Sequence, residues 1–398
     1  MDKALDKSLP IWQLALYFFM IGFTFISVPK SGSTYVLYAR AVQAFELLFF
    51  MVLVIQNFRQ GFKLNQYNTL TNIWWLVYTL ITYAFTLNIV GLTPMFRWMN
   101  VIIFLLLGNC YWRNNMLESA KYLAIVFSAL IYINAILFIL YPEGLWIDEE
   151  WVGRGDPTRY LFGNYNQTGF VCLLGIIAQS IYTFTVKKGY LNLCCLICVS
   201  IASVFFVGSM TSTVCLGGLA ICIIFRRLMI QYAKLIVIVF LILYILFFIF
   251  IIWNGHSIDN IELVSRFIEQ SLSKDTSFSN RTNIWENAVY KIKQSPLIGF
   301  GVQNVEWNDT YLGGSGPHNF WLMLLLHGGS LLCLLFISIL LYTIKSVLQN
   351  TTVTTFISLM GLLMLLVMSL FEAYNLIQIF LLIQMIYYTA ISKKEATT

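Results

Sequence analysis

Long apolar runs separated by short polar stretches alternate along almost the whole chain. Twelve runs read as spans: about 11–28, 36–57, 71–90, 95–111, 120–141, 161–183, 190–208, 210–225, 234–253, 319–344, 354–370 and 373–391. A helix of about 20 apolar residues crosses a hydrocarbon core of roughly 30 Å. The runs are continuous and do not alternate residue by residue, which excludes a membrane barrel. Lipid then leaves the helix as the element that satisfies its own backbone. The pattern predicts an all-α, polytopic membrane helix bundle with about twelve transmembrane helices, one integral membrane domain over 1–398. The tightest link is "VGSMTS", which has to turn the chain between the seventh and eighth runs.

Two polar stretches stand apart, 142–160 and 254–318. In the second, "SNRTNIWENAVYKIKQSP" sets Ile284, Trp285, Ala288, Val289 and Ile292 at helical spacing, and Pro296 stops the helix. This predicts a long structured loop holding a short amphipathic helix on the outer leaflet, with Trp285 and Tyr290 suited to the interface. Gly299 and Gly301 of "IGFGVQN" allow a sharp re-entry toward the bundle.

Composition agrees: 59% of residues are hydrophobic and 11% charged, against about 25% charged in soluble chains. Of the 24 Lys and Arg, 14 fall in alternate short segments, on one side if both termini are cytoplasmic. The net charge of +6 is then mostly a topology signal and no nucleic-acid footprint. The 142–160 and 254–318 loops fall outside and carry 12 of the 18 carboxylates, so chemistry on a polar substrate belongs there. The N-terminus reads as an uncleaved signal anchor. All eight cysteines lie in or beside spans, so no disulfide framework is indicated; Cys195 and Cys198 read as packing residues. There is no D-x-D, Walker, Rossmann or H-E-x-x-H pattern, and three scattered histidines make no zinc site. Neither a metal nor a cofactor is expected.

Candidate chemistry gathers at "GGSGPHN". Pro317 and the glycines set His318 and Asn319 at the mouth of the tenth span. An imidazole there can serve as a general base, and the alternative is a helix cap. Arg281 occupies the first turn of its helix, a poor place for a cation. It is either a solvated arginine or one that shares an anion with the helix N-terminus. Arg40, Glu46, Arg97 and Glu372 are ionisable groups inside or beside spans, and Arg40 and Arg97 lie near enough to outer ends to snorkel outward. His256 reads as a solvated loop residue and His327 as a hydrogen-bonding partner within its span.

"SNRTNIWENAVYKIKQSPLIGFGVQN" with "GPHNFWLMLLLHGGS" resembles the signature region of the O-antigen ligase and polymerase superfamily, and "RYLFGNYNQTGF" is similar to the family's segment opening a span after an outer loop. The resemblance covers the last two-thirds of the chain. It departs at "VGSMTSTVCLGG": many members carry a Ser-Arg pair there, and here Met210 follows Ser209. It implies a metal-independent, inverting glycosyltransferase at the outer face of the bacterial cytoplasmic membrane. Donor and acceptor are glycans on undecaprenyl pyrophosphate, set among membrane lipid, and a flippase and a chain-length regulator are the partners in view. Arg281 would hold the pyrophosphate with Arg154, Arg159 or Arg266 as a second contact. His318 would take the proton of the acceptor hydroxyl, and Asn164, Asn166 and Asn319 would orient the substrate. Ile, Phe, Asn and Lys usage indicates an AT-rich genome, and many such bacteria lack an outer membrane. This favours a polymerase of surface polysaccharide, such as capsule or exopolysaccharide, over a ligase to lipid A core. A lipid-linked oligosaccharide flippase or other transporter is the rival class, and a scaffold without chemistry stays open.

Overall fold

The structure, a computed structural model, describes residues 17, 21–22, 24–29, 32–59, 65–148, 152, 157–254 and 281–392. Most of the expected first span lies outside these residues, as do Arg154, His256, Arg266 and both chain ends. The described chain is helical almost throughout. Its helices are α1 (Gly32–Arg59), α2 (Gln66–Val90), α3 (Thr93–Leu107), α4 (Arg113–Leu140), α5 (Tyr165–Val186), α6 (Tyr190–Phe206), α7 (Met210–Ile224), α8 (Arg226–Met229), α9 (Ala233–Phe247), α10 (Arg281–Gln294), α11 (Val305–Leu312), α12 (Phe320–Gln349), α13 (Val353–Phe371) and α14 (Leu376–Ser392). A two-residue antiparallel ribbon, β1 (Trp146–Ile147) with β2 (Thr158–Arg159), closes the 142–160 loop.

Seven helical stretches among the described residues are long and apolar enough to cross a membrane. α6, α7 and α14 are apolar but have only 17, 15 and 17 residues. The bundle is therefore polytopic and helical, and the even apolar runs of the sequence become helices of unequal length. π-turns extend two of them, at Gly108–Trp112 and Phe248–Trp253. α5 and α13 are the inner helices, with most of their side chains buried. α9 turns Leu235, Ile238, Ile242 and Leu246 outward, as a lipid-facing helix does.

The "VGSMTS" turn forms between α6 and α7, with Gly208 at φ 76°. The amphipathic helix of the long loop forms as α10, and Ile284, Trp285, Ala288, Val289 and Ile292 are all buried. That apolar face lies on protein: Trp285 is fully buried and its Nε1 donates to the Pro317 carbonyl at 3.0 Å. This corrects the expectation of a helix resting on lipid through Trp285. Of the two aromatic residues, Tyr290 is the one turned outward.

α12 is not one continuous helix. Gly328 and Gly329 take non-helical dihedrals, with Gly329 at φ 60°. A break at this depth leaves carbonyls and amides that lipid cannot satisfy. The segment after Pro296 supplies the partners. Phe300 N donates to Leu326 O at 2.7 Å and Gly301 N to His327 O at 3.0 Å. In return Ser330 N donates to Pro296 O at 2.8 Å and Leu331 N to Leu297 O at 3.2 Å. The re-entry read from Gly299 and Gly301 thus ends as backbone pairing against the broken span.

Candidate active site

Four helices begin where α13 ends. Asn164 caps α5, its Oδ1 accepting from Gln167 N at 3.0 Å, and Asn166 follows in the first turn. Ser209 precedes α7, Arg281 opens α10, and Asn319 caps α12 by accepting from Leu322 N at 2.9 Å. Helix N-termini carry partial positive charge, so their convergence favours an anion. The anion present is Glu372. The chain leaves helical geometry there, at φ −150°, and stays non-helical until α14.

The side chains meet on that carboxylate. Arg281 Nη2 lies 3.8 Å from Glu372 Oε2, and His318 Nδ1 lies 3.8 Å from Oε1. Asn166 Nδ2 donates to Oε2. Ser209 Oγ donates to Asn166 Oδ1 at 3.1 Å and contacts Ser212 Oγ at 2.8 Å, extending the chain into α7. Arg281 Nη1 also donates to the Phe371 carbonyl, at the negative end of α13. This explains a cation in the first turn of its own helix: Arg281 answers the C-terminus of another. Burial works against ionisation of Glu372. The facing His318 ring and the Arg281 charge, with the Asn166 amide, outweigh it and hold the carboxyl below its ordinary range.

His318 is held by its neighbours. Its φ is 44°, in the left-handed region that a residue with a Cβ rarely occupies. On one side, Trp285 pins the Pro317 carbonyl. On the other, fully buried Asn319 donates to the Leu370 carbonyl at 2.8 Å while capping α12. Local strain of this kind persists only where flanking contacts over-determine it. The ring itself keeps partial exposure, with 25% of the side chain accessible.

Residues 195–337 match the family described as O-Antigen ligase. That segment belongs to the O-antigen ligase family. No curated protein matches the chain. The match supports a ligase- or polymerase-type membrane function at the general level, in keeping with the several apolar helices long enough to cross a membrane.

The O-antigen ligase segment contains Arg281, His318 and Asn319, and the fold brings all three to one place. Asn164 and Asn166 come from α5, outside the matched segment, and differ in use: Asn164 is occupied as a cap and Asn166 reaches the carboxylate. Arg159 is buried and ion-paired, its Nε 3.2 Å from Asp148 Oδ2, and its Nη1 bonds the Thr158 carbonyl at 3.0 Å. It braces the 142–160 ribbon. Glu372, at the centre, reads from the sequence only as an ionisable group beside a span. A carboxylate between two long apolar runs was the available signal, and its partners lie 54 to 206 positions away along the chain.

Proposed function

We propose that this protein joins lipid-linked oligosaccharide repeat units into surface polysaccharide at the outer face of the cytoplasmic membrane. The observation that carries the reading is the sharing of one buried carboxylate by Arg281 and His318. In the reaction, the anomeric C–O bond to the pyrophosphate breaks as the acceptor hydroxyl forms a new one, with inversion. Negative charge grows on the departing diphosphate. A guanidinium is fitted to it, since its planar fork pairs phosphate oxygens and stays charged. Arg281 exchanges Glu372 and the Phe371 carbonyl for the diphosphate. His318 takes the acceptor proton on Nε2, while Glu372 faces Nδ1 and balances the imidazolium that results. Asn166 and Asn319 hold the carboxylate and the histidine loop in place. Arg159 and Asn164 act as framework, and Arg154 and Arg266 keep the role of a second diphosphate contact. The leaving-group charge is met by arginine, so the mechanism calls for no metal.

The test is a purified, lipid-reconstituted protein given lipid-linked repeat units in chelator, read as a gel ladder. Wild type should build a ladder; His318→Ala and Arg281→Ala should build none while folding normally. With lipid A core added as an acceptor, a single transfer to it with no ladder would instead support the ligase reading. Repeat units moved across the membrane and left unjoined would support a carrier.

A further inference from the structure

A second cationic cluster lies in the bundle and takes no part in the site above. Its members are Arg97 on α3, Tyr78 on α2 and His327 at the break in α12. Arg97 Nη1 approaches Tyr78 OH at 3.5 Å, so the guanidinium turns inward, against the outward snorkelling expected of it. The Tyr78 and His327 rings stand 6.3 Å apart, centroid to centroid, and the Arg97 charge reaches the His327 ring.

The end of the bundle follows from the packing. Trp74 Nε1 donates to Leu332 O, Tyr78 faces His327, and a Cβ on Gly301 would stand 3.2 Å from Thr82 Cα. Climbing α2 therefore descends α12 toward Asn319. Arg97 follows the turn at the top of α2, so the cluster opens toward the same end as His318.

Its electrical state differs from that of Arg281. Arg281 has Glu372. Among the described residues no carboxylate pairs with Arg97, whose one hydrogen-bond contact is the long approach to Tyr78. Arg97 also sits near the N-terminus of α3, where the helix dipole opposes a cation. Around it are polar atoms that are buried and unpartnered: His327 Nδ1, and the hydroxyl of fully buried Thr82, one turn from Tyr78. An uncompensated charge and idle donors inside a membrane bundle are costly. Each of these groups can donate to an oxyanion.

We infer that Arg97, Tyr78 and His327 form a second anion site, for a phosphate group reaching the bundle from the membrane surface. Guanidinium, phenol and imidazole donors suit phosphate oxygens, and the site stands apart from Arg281. It does not depend on the proposed glycosyl transfer. If that reaction holds, two lipid-borne glycans bring two phosphates to be anchored, and this site accommodates the second.

The protein in phosphatidylcholine nanodiscs would be titrated with inorganic pyrophosphate, phosphatidylglycerol and a polyprenyl phosphate, with bound species counted by native mass spectrometry. At least one probe should show a saturable site that Arg97→Gln weakens about tenfold or more and Arg281→Gln leaves unchanged. The probe that does so identifies the source of the phosphate. Equal binding of all three probes by Arg97→Gln and wild type would overturn the inference. Should Arg97→Gln fail to accumulate, Tyr78→Phe and His327→Gln carry the test. A weakening of about threefold in either supports the site, and unchanged binding in both overturns it. Loss of the polysaccharide ladder with intact Arg97-dependent binding would count against the reaction alone.

Discussion

His318 and Glu372 are the two residues on which the site turns. The left-handed backbone at His318 makes substitutions there separable. Asparagine tolerates this region better than most residues. His318→Asn should therefore fold like wild type by thermal melting and yet build no ladder. His318→Val should lose about 1–2 kcal/mol of stability, because a β-branched residue meets the strain directly. Glu372 makes a prediction with a definite sign. Its carboxyl is held below the ordinary value of 4.5 in the folded protein. Its stabilisation is then complete above that value and is lost as pH falls through the folded-state value. Melting curves should therefore show an acid loss beginning below about pH 4.5 that is smaller in Glu372→Gln. At neutral pH the same variant should lose transfer activity, since His318 and Arg281 lose their shared counter-charge. Arg281 and His318 were legible in the sequence because glycine, proline and helical spacing frame them locally. Glu372, Asn166 and Ser209 were not legible as partners. Their pairing depends on helix packing between residues 43 to 206 positions apart, which no local pattern encodes.

Among the elements, α10 and α12 teach different lessons. The period of Ile284, Trp285, Ala288, Val289 and Ile292 revealed the helix and its buried face. It did not reveal what covers that face, because lipid and protein ask for the same apolar stripe. α12 read as one run from 319 to 344, since hydropathy does not register a backbone break. The adjacent pair Gly328–Gly329 was its only trace. A Cβ on Gly329 would lie 2.2 Å from the Leu297 carbonyl carbon, and one on Gly299 would lie 2.4 Å from Leu326 O. Both residues also have positive φ. Gly329→Ala should therefore cost about 3 kcal/mol or more and reduce the amount of folded protein in the membrane. Gly217, whose added Cβ would meet nothing within 4 Å, should accept alanine without loss.

For the whole molecule, the continuous apolar runs were enough to give an all-helical membrane bundle. Their number was harder to carry over: seven described stretches are long enough to cross alone, and shorter apolar helices pack among them. The direction of insertion rests on the Lys and Arg count, and it can be measured. A cysteine placed at Glu143 should react with a membrane-impermeant maleimide in intact cells, and one at Lys188 should not. The reverse pattern would turn the site toward the cytosol and end the proposed reaction with lipid carriers outside.

The pairing of 296–301 against the fractured span has a practical consequence for engineering. Backbone groups of each partner complete the other, so the loop and the span form a matched set. Grafting the loop of a relative onto this scaffold, to change which sugars are joined, should fail unless the receiving helix brings its own glycine pair in register. Exchanges whose boundaries fall after Leu331 should survive where those cut at Pro317 do not.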